Sequence, residues 1–206
     1  MKTYFFRLLV VIISATLSVV LSGCTSSPSS RFYILSPLAT TGPETKPLSD
    51  ERCLSLAVGP IKIPDYLDRP QIVTRVAQDE FALAEFDRWA GSLKDNLTRV
   101  LADNLSVFLC TKTILLFPWV GGIPIDYRIE VEVIRMDGSL GGNVTLQAWW
   151  IIFSGDKKQI LLTRKSNVTE VTGSKDYKSL VSAESRALEK LSREIAEAIR
   201  PLAKPS

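Results

Sequence analysis

Apolar and polar side chains alternate along much of the chain, and the alternation gives way to helical spacing twice. After an uncharged apolar run from Leu8 to Leu21, the segment Arg31-Phe32-Tyr33-Ile34-Leu35 reads as a short strand. The Pro/Thr/Gly-rich residues 37–50 that follow have no apolar period and read as a connection. Leu54-Ser55-Leu56-Ala57-Val58 alternates, and the alternation resumes after Gly59-Pro60 in Ile61-Lys62-Ile63, so one strand with a kink or bulge is expected. Apolar runs at 71–76 and 80–86, separated by Ala77-Gln78-Asp79, have the form of a hairpin.

The period then changes. Between Trp89 and Phe108 the apolar positions Leu93, Leu97, Val100, Leu101, Leu105 and Phe108 recur every three or four residues and predict an amphipathic helix, with Lys94, Asp95, Arg99 and Asp103 on its wet side. Asp87 is expected to cap that helix and Trp89 to staple it to a sheet. Thr113–Trp119 reads as a buried strand. Tyr127, Ile129, Val131 and Val133 share one face of the next, and glycines at 138, 141, 142 and 155 bound the turns of a meander through 144–153 and 159–169. Trp149-Trp150 must place one indole on each face of its strand. A second amphipathic helix runs from Tyr177 to Leu202, limited by Pro201 and Pro205. The expected class is α+β, sandwich-like: a mixed, largely antiparallel sheet with both helices packed on one face.

The first residues carry different information. Lys2 and Arg7 precede fourteen apolar or small residues, too few to span a bilayer, which needs about 20. The run ends in Leu21-Ser22-Gly23-Cys24, with the spacing of a lipobox: small residues give a peptidase access to the Gly23–Cys24 bond, and the thiol of Cys24 takes a thioether-linked diacylglycerol. Residues 1–23 are therefore expected to be a lipoprotein signal peptide, 24–30 a lipidated N-terminus and tether, and 31–206 one globular domain. Each buried methylene contributes about 0.8 kcal/mol, so two or more palmitate-type chains anchor a protein stably. Thr25 stands where enteric inner-membrane lipoproteins carry Asp, and by similarity to that sorting rule the outer membrane, on its periplasmic face, is the expected location.

Composition narrows the chemistry. Removing residues 1–23 takes away Lys2 and Arg7 and no acid, lowering the net charge from +3 to +1, which gives no reason to propose nucleic acid as a partner. The chain has no histidine, so the commonest general base and metal ligand are missing; no cofactor or metal is expected, and a non-enzyme is favoured. Ser154 and Lys157 have a Ser-x-x-Lys spacing, but in a glycine-containing turn whose ordinary reading is a solvated loop. Cys53 and Cys110 have two open readings: an envelope disulfide, or two buried thiols.

Residues 58–75, Val-Gly-Pro-Ile-Lys-Ile-Pro-Asp-Tyr-Leu-Asp-Arg-Pro-Gln-Ile-Val-Thr-Arg, together with Phe86-Asp87-Arg88-Trp89-Ala90-Gly91-Ser92-Leu93, the early Phe32–Leu35 strand and the lipobox, resemble the PqiC-like family of ABC-type transport auxiliary lipoproteins. The resemblance implies an α/β fold, no catalysis, and a docking role at the outer membrane. Its implied partner is a periplasmic MCE-domain protein, PqiB-like, of a transenvelope lipid transport system that supports envelope integrity. Self-association into a homo-oligomeric ring is one arrangement it allows. The proline-bounded loop Tyr66-Leu67-Asp68-Arg69-Pro70-Gln71, with Arg75 and Arg88, is the candidate partner surface; the same loop also reads as an ordinary turn. A periplasmic lipid carrier is the alternative function and would require an apolar cavity of roughly 300 Å³ or more.

Overall fold

The computed structural model describes residues 28–38, 53–119 and 122–203, with Tyr4 and Arg7 singly; Gly23 and Cys24 lie outside the described residues. The elements are β1 (Arg31–Tyr33), β2 (Leu54–Lys62), β3 (Gln71–Ala77), β4 (Glu80–Trp89), α1 (Leu93–Phe108), β5 (Thr111–Leu116), β6 (Tyr127–Gly138), β7 (Asn143–Ser154), β8 (Ile160–Val171) and α2 (Tyr177–Ala203). The fold class is α+β, as the pattern predicts, but the strands form two sheets where one was expected. A five-stranded sheet has the order β5-β2-β6-β7-β8, and a three-stranded sheet the order β1-β4-β3. Strand β2 runs parallel to both β5 and β6, β6–β7–β8 is the antiparallel meander, and β1 lies parallel to β4.

Both helices cover one face of the larger sheet, α1 over β2 and β5 and α2 over β6, β7 and β8. Alternation decides what meets them. Ile129, Val131 and Val133 of β6, with Leu146, Ala148, Trp150 and Ile152 of β7, are buried, as are Leu97, Leu101 and Leu105 of α1 and Leu188, Leu191 and Ile195 of α2. Register assigns the two indoles: Trp150 is fully buried and its Nε1 donates to Ser166 Oγ at 2.8 Å, while Trp149 is exposed beside Lys165. A buried indole N–H needs such an acceptor, because an unmade hydrogen bond in the core costs about 1–3 kcal/mol.

The break in β2 is real: its register with β6 shifts between Val58 and Ile61, across a cis Gly59–Pro60 bond. Gly59 sits at φ 107°, and a Cβ there would stand 2.7 Å from the Cβ of Phe117, so conformation and space both demand glycine.

Three boundaries differ from expectation. Helix α1 begins at Leu93, with Ser92 as its cap accepting from Asp95 N at 3.2 Å. Asp87 is therefore not the cap: the β pattern persists through Trp89, and Asp87 is a buried residue of β4. The segment expected as a buried strand at 113–119 is β5, a half-exposed edge that pairs with β2 alone among the described strands, followed by an exposed Phe117. Pro201 lies inside α2, which continues to Ala203, with Tyr127 Oη donating to Leu202 O at 2.6 Å.

Cys53 and Cys110 stand where β2 and β5 begin, their Cα atoms 4.5 Å apart and their sulfurs bonded, and Leu54 N donates to Cys110 O beside them. The closed loop spans 57 residues and contains the hairpin and α1, so its closure entropy is worth about 4 kcal/mol by chain-entropy arithmetic. Replacing both cysteines with Ser is expected to lower unfolding free energy by about 2–4 kcal/mol, read as a fall in the urea midpoint with an m-value that rises as the unfolded chain expands; an unchanged midpoint would contradict a constraint on the unfolded chain.

Candidate functional site

The proline-bounded loop is built by its own turn hydrogen bonds, Leu67 N to Pro64 O at 2.9 Å and Asp68 N to Asp65 O at 3.2 Å. It sorts its residues sharply. Leu67 is core, Tyr66 is half-buried and stacked on Phe81 at 4.7 Å, and Asp68 and Pro70 face solvent. Gln71 opens β3 and is paired in register with Arg88, and Trp89 N donates to Pro70 O at 2.7 Å. On its other side β4 carries β1, with Phe32 opposite Arg88 and Ala90 N donating to Tyr33 O. The three segments distant in sequence, 32–35, 64–71 and 86–93, thus meet at one place on the small sheet.

Of the sequence-predicted partner residues, Asp68, Arg69, Pro70, Gln71 and Arg88 gather here. Arg69 and Arg88 are half-buried, and the Nε of each is buried with no acceptor among the described residues. Tyr66 and Arg75 instead do structural work. Both reach Asp137 near the end of β6: Arg75 Nε donates to Oδ1 at 2.7 Å and Nη2 to Oδ2 at 3.1 Å, Tyr66 Oη donates to Oδ2 at 3.0 Å, and Arg135 Nε donates to Oδ1 at 3.0 Å. Arg75 also lies 4.3 Å over the Phe81 ring. Asp137 is fully buried. Burial pushes its pKa up, but donors on Arg75, Arg135 and Tyr66 outweigh it and hold the carboxyl below its ordinary value. Burial and then the Asp137 charge push the Tyr66 phenol up to about 12. This cluster joins the small sheet to the large one.

A second lock fixes β1. Asp87 accepts from Tyr33 Oη at 2.7 Å and from Arg31 Nη2 at 2.9 Å. Beyond β1 the chain lies as a strap across the two helices: Asn96 Oδ1 accepts from Leu35 N and Asn104 Oδ1 from Leu38 N, both at 2.7 Å, and Ser185 Oγ accepts from Ser36 N. Sequence reading missed these asparagines; their signal was a pair of polar residues eight apart, about two helical turns, one of them on the apolar stripe of α1.

It missed Glu184 as well, which stands between Leu180 and Leu188 on the apolar stripe of α2. Glu184 is buried, and its Oε2 has no partner among the described residues. Desolvation, then the negative charge of Asp137, pushes its pKa up to about 8.

Nothing in the site assembles a catalytic or metal-holding set. Lys157 pairs with Glu130 at 2.5 Å, and Ser154 hydrogen-bonds Asp156 in the same turn, so the Ser-x-x-Lys pair is part of an ordinary β7–β8 turn. Among the described residues no group of His, Cys, Asp and Glu is placed to hold a metal, and no helix is long and apolar enough to cross a membrane.

The chain is thus a two-sheet α+β domain with a strapped helix layer and a small sheet that carries a proline-bounded loop. Residues 33–196 match the ABC-type transport auxiliary lipoprotein component family, and the chain belongs to it. That family is one of transport auxiliary lipoproteins and not an enzyme class. The chain is 26% identical over 132 residues to the intermembrane transport lipoprotein PqiC of Escherichia coli, an alignment covering 64% of this chain and 68% of that one, and to the same degree to PqiC of Shigella flexneri. Its fold is similar to that of a Xanthomonas campestris protein, with TM-score 0.67 and 17% identity over 83% of this chain and 95% of that one. A second solved structure, of an uncharacterized protein, gives TM-score 0.66 at 20% identity over 84% and 99% of the two chains.

Two titrations follow with opposite signs. The Asp137 pKa is lowered by folding, so its contribution is present above the unfolded carboxylate range and lost as pH falls through the folded value. The Glu184 pKa is raised by folding, so the folded state holds a proton that the unfolded chain has released, and stability falls as pH rises from the ordinary 4.5 toward 8. Glu184→Gln is expected to flatten that decline in urea titrations across the range. Arg75→Ala, which strips two charge-assisted bonds from Asp137, is expected to cost about 2–3 kcal/mol, measured by the same titrations at pH 7.

Proposed function

We propose that this chain is a docking subunit of an MCE-type intermembrane lipid transport system, tethered to the outer membrane through acylated Cys24 after cleavage at Gly23–Cys24. Its partner is a periplasmic MCE-domain protein, and the contact surface is the loop Asp68-Arg69-Pro70 with Gln71 and Arg88. The observation that carries this reading is the convergence of residues 32–35, 64–71 and 86–93, which lie within the stretches 32–35, 58–75 and 86–93 by which the chain resembles its family, around Arg69 and Arg88, whose Nε atoms have no acceptor among the described residues. Those Nε atoms are enclosed by the protein, but both arginines are only half-buried, and a guanidinium edge at the surface favours a carboxylate or backbone carbonyl supplied by a partner, since its planar fork makes strong directed bonds. Similarity to PqiC, an intermembrane transport lipoprotein, favours the same class of work.

A carrier that encloses lipid in its own core is less well supported. The surface grooves are open and mixed in lining, as in the roughly 390 Å³ groove where Ile34, Leu38 and Val181 stand beside Lys178, Arg186 and Glu189, so among the described residues none is an enclosed apolar cavity. The space between helices and sheet is filled by Leu56, Ile129, Trp150, Leu101 and Leu188.

The test is co-purification of the tagged, lipidated chain from detergent-solubilised envelope of its own bacterium, with mass spectrometry of retained proteins. Recovery of an MCE-domain protein, reduced about tenfold or more by Arg69→Ala with Arg88→Ala, is the expected outcome. Recovery of phospholipid alone, unaffected by those changes, would contradict docking and favour the carrier.

A further inference from the structure

The lipid anchor leaves open which face of the domain meets the bilayer, and the residues around β1 answer that. Arg31 begins β1 seven positions after Cys24, a distance the chain spans with at most about 25 Å of extended backbone. The first structured surface within that reach exposes two large apolar side chains, Phe32 at 65% and Ile34 at 58%. Neither is loose. Tyr33 between them is held by Asp87, β1 is paired with β4, and Leu35 is buried and bound through its N–H to Asn96, so Phe32 and Ile34 are displayed on a fixed backbone.

The charges beside this pair are arranged for phosphate. Ile34 borders two grooves, one reaching Lys178 on α2 and the other reaching Arg99 on α1. Neither Arg99 nor Lys178 forms an ion pair within 4 Å among the described residues. Of the acids lining these grooves and the adjoining one, Glu189 is bonded to Arg193, and Asp176 accepts from Ser174, Ser179 Oγ and Ser179 N. Asp95, one turn before Arg99, lines the same groove, but no ion pair joins its carboxylate to Arg99 among the described residues. Two exposed apolar side chains flanked by two unpaired cations on flexible stems match the interface of a phospholipid monolayer, where rings and branched chains enter the acyl boundary and Lys or Arg extends to the headgroups.

We propose that Phe32 and Ile34, with Arg99 and Lys178, form a membrane-contact site that seats the domain on the phospholipid surface holding its anchor. This rests on the reading of Cys24 as lipidated. Seating the domain there fixes its orientation, which an anchor on a short tether leaves free.

The test uses the full lipidated chain in vesicles of phosphatidylethanolamine and phosphatidylglycerol, with a trace phospholipid bearing a photoreactive diazirine in its acyl chain; cross-linked peptides are mapped by mass spectrometry. Cross-links are expected to concentrate on residues 31–34 and to fall about tenfold in the Phe32→Ser, Ile34→Ser double variant. Arg99→Glu with Lys178→Glu is expected to reduce them too. These positions are exposed, so circular dichroism and the urea midpoint should stay unchanged and separate contact loss from unfolding. If the unaltered chain floats with vesicles yet is cross-linked at Phe117 or Trp149 and not at 31–34, the contact site is overturned and the anchor stands. If it does not float with vesicles, the anchor and the contact site both fail.

Discussion

The arrangement of the two sheets depends on one buried carboxylate. Asp137 sits near the end of β6 with no exposure, and its oxygens are claimed by Arg75 from β3, Tyr66 from the proline-bounded loop, and Arg135 from its own strand. An ionised group in such a place is costly unless it is surrounded by donors. Its donors come from both the large sheet and the hairpin attached to it, so the cost of separating the sheets includes the cost of stranding that charge. Glu184 is the counterweight: it is close enough to feel Asp137 and is kept protonated by burial and by that negative charge. The two acids are shifted in opposite directions because Asp137 has donors and Glu184 has burial without them.

The loop and the strap then follow from what this junction holds. Tyr66 and Leu67 are inward, so Asp68, Arg69 and Pro70 are outward, and Arg88 is brought beside Gln71 by the β3–β4 register. β1 adds to the far edge of β4 through the Asp87 lock, and from there residues 34–38 cross both helices under the hold of Asn96, Asn104 and Ser185. The proposed docking loop and the proposed membrane contact therefore lie on one small sheet. Orientation at the membrane and presentation of the loop are mechanically the same property.

Much of this architecture is legible in the amino-acid pattern because its elements are periodic and half-buried. The β6–β7–β8 meander, the hairpin and both helices follow from alternation or from three-and-four spacing. What escapes is set by contacts distant in sequence. Alternation cannot show that β3 and β4 leave the main sheet, since both sheets use the same period. The early helix start expected at Trp89 failed because the β pattern of β4 runs directly into the turn capped by Ser92, with no breaker before Gly91. β5 looked fully buried because Ile114, Leu115, Leu116 and Phe117 are all apolar, yet its edge position leaves the last two exposed. At the site, the sequence shows a loop that gathers an aromatic, an acid and a base, but which of those faces inward is decided by Asp137, sixty-two residues beyond Arg75. Asn104 and Glu184 sat on apolar stripes as single exceptions, the pattern by which a buried polar contact announces itself without naming its partner.

The Asp137 cluster holds the small sheet against the large one. Hydrogen–deuterium exchange of the native chain against Asp137→Asn measures it directly, because the substitution keeps the shape and removes the charge. Faster exchange is expected across β3, β4 and the 64–71 loop, with protection in β7 and β8 retained. Unchanged protection in β3 and β4, or uniform loss through the whole domain, would contradict it.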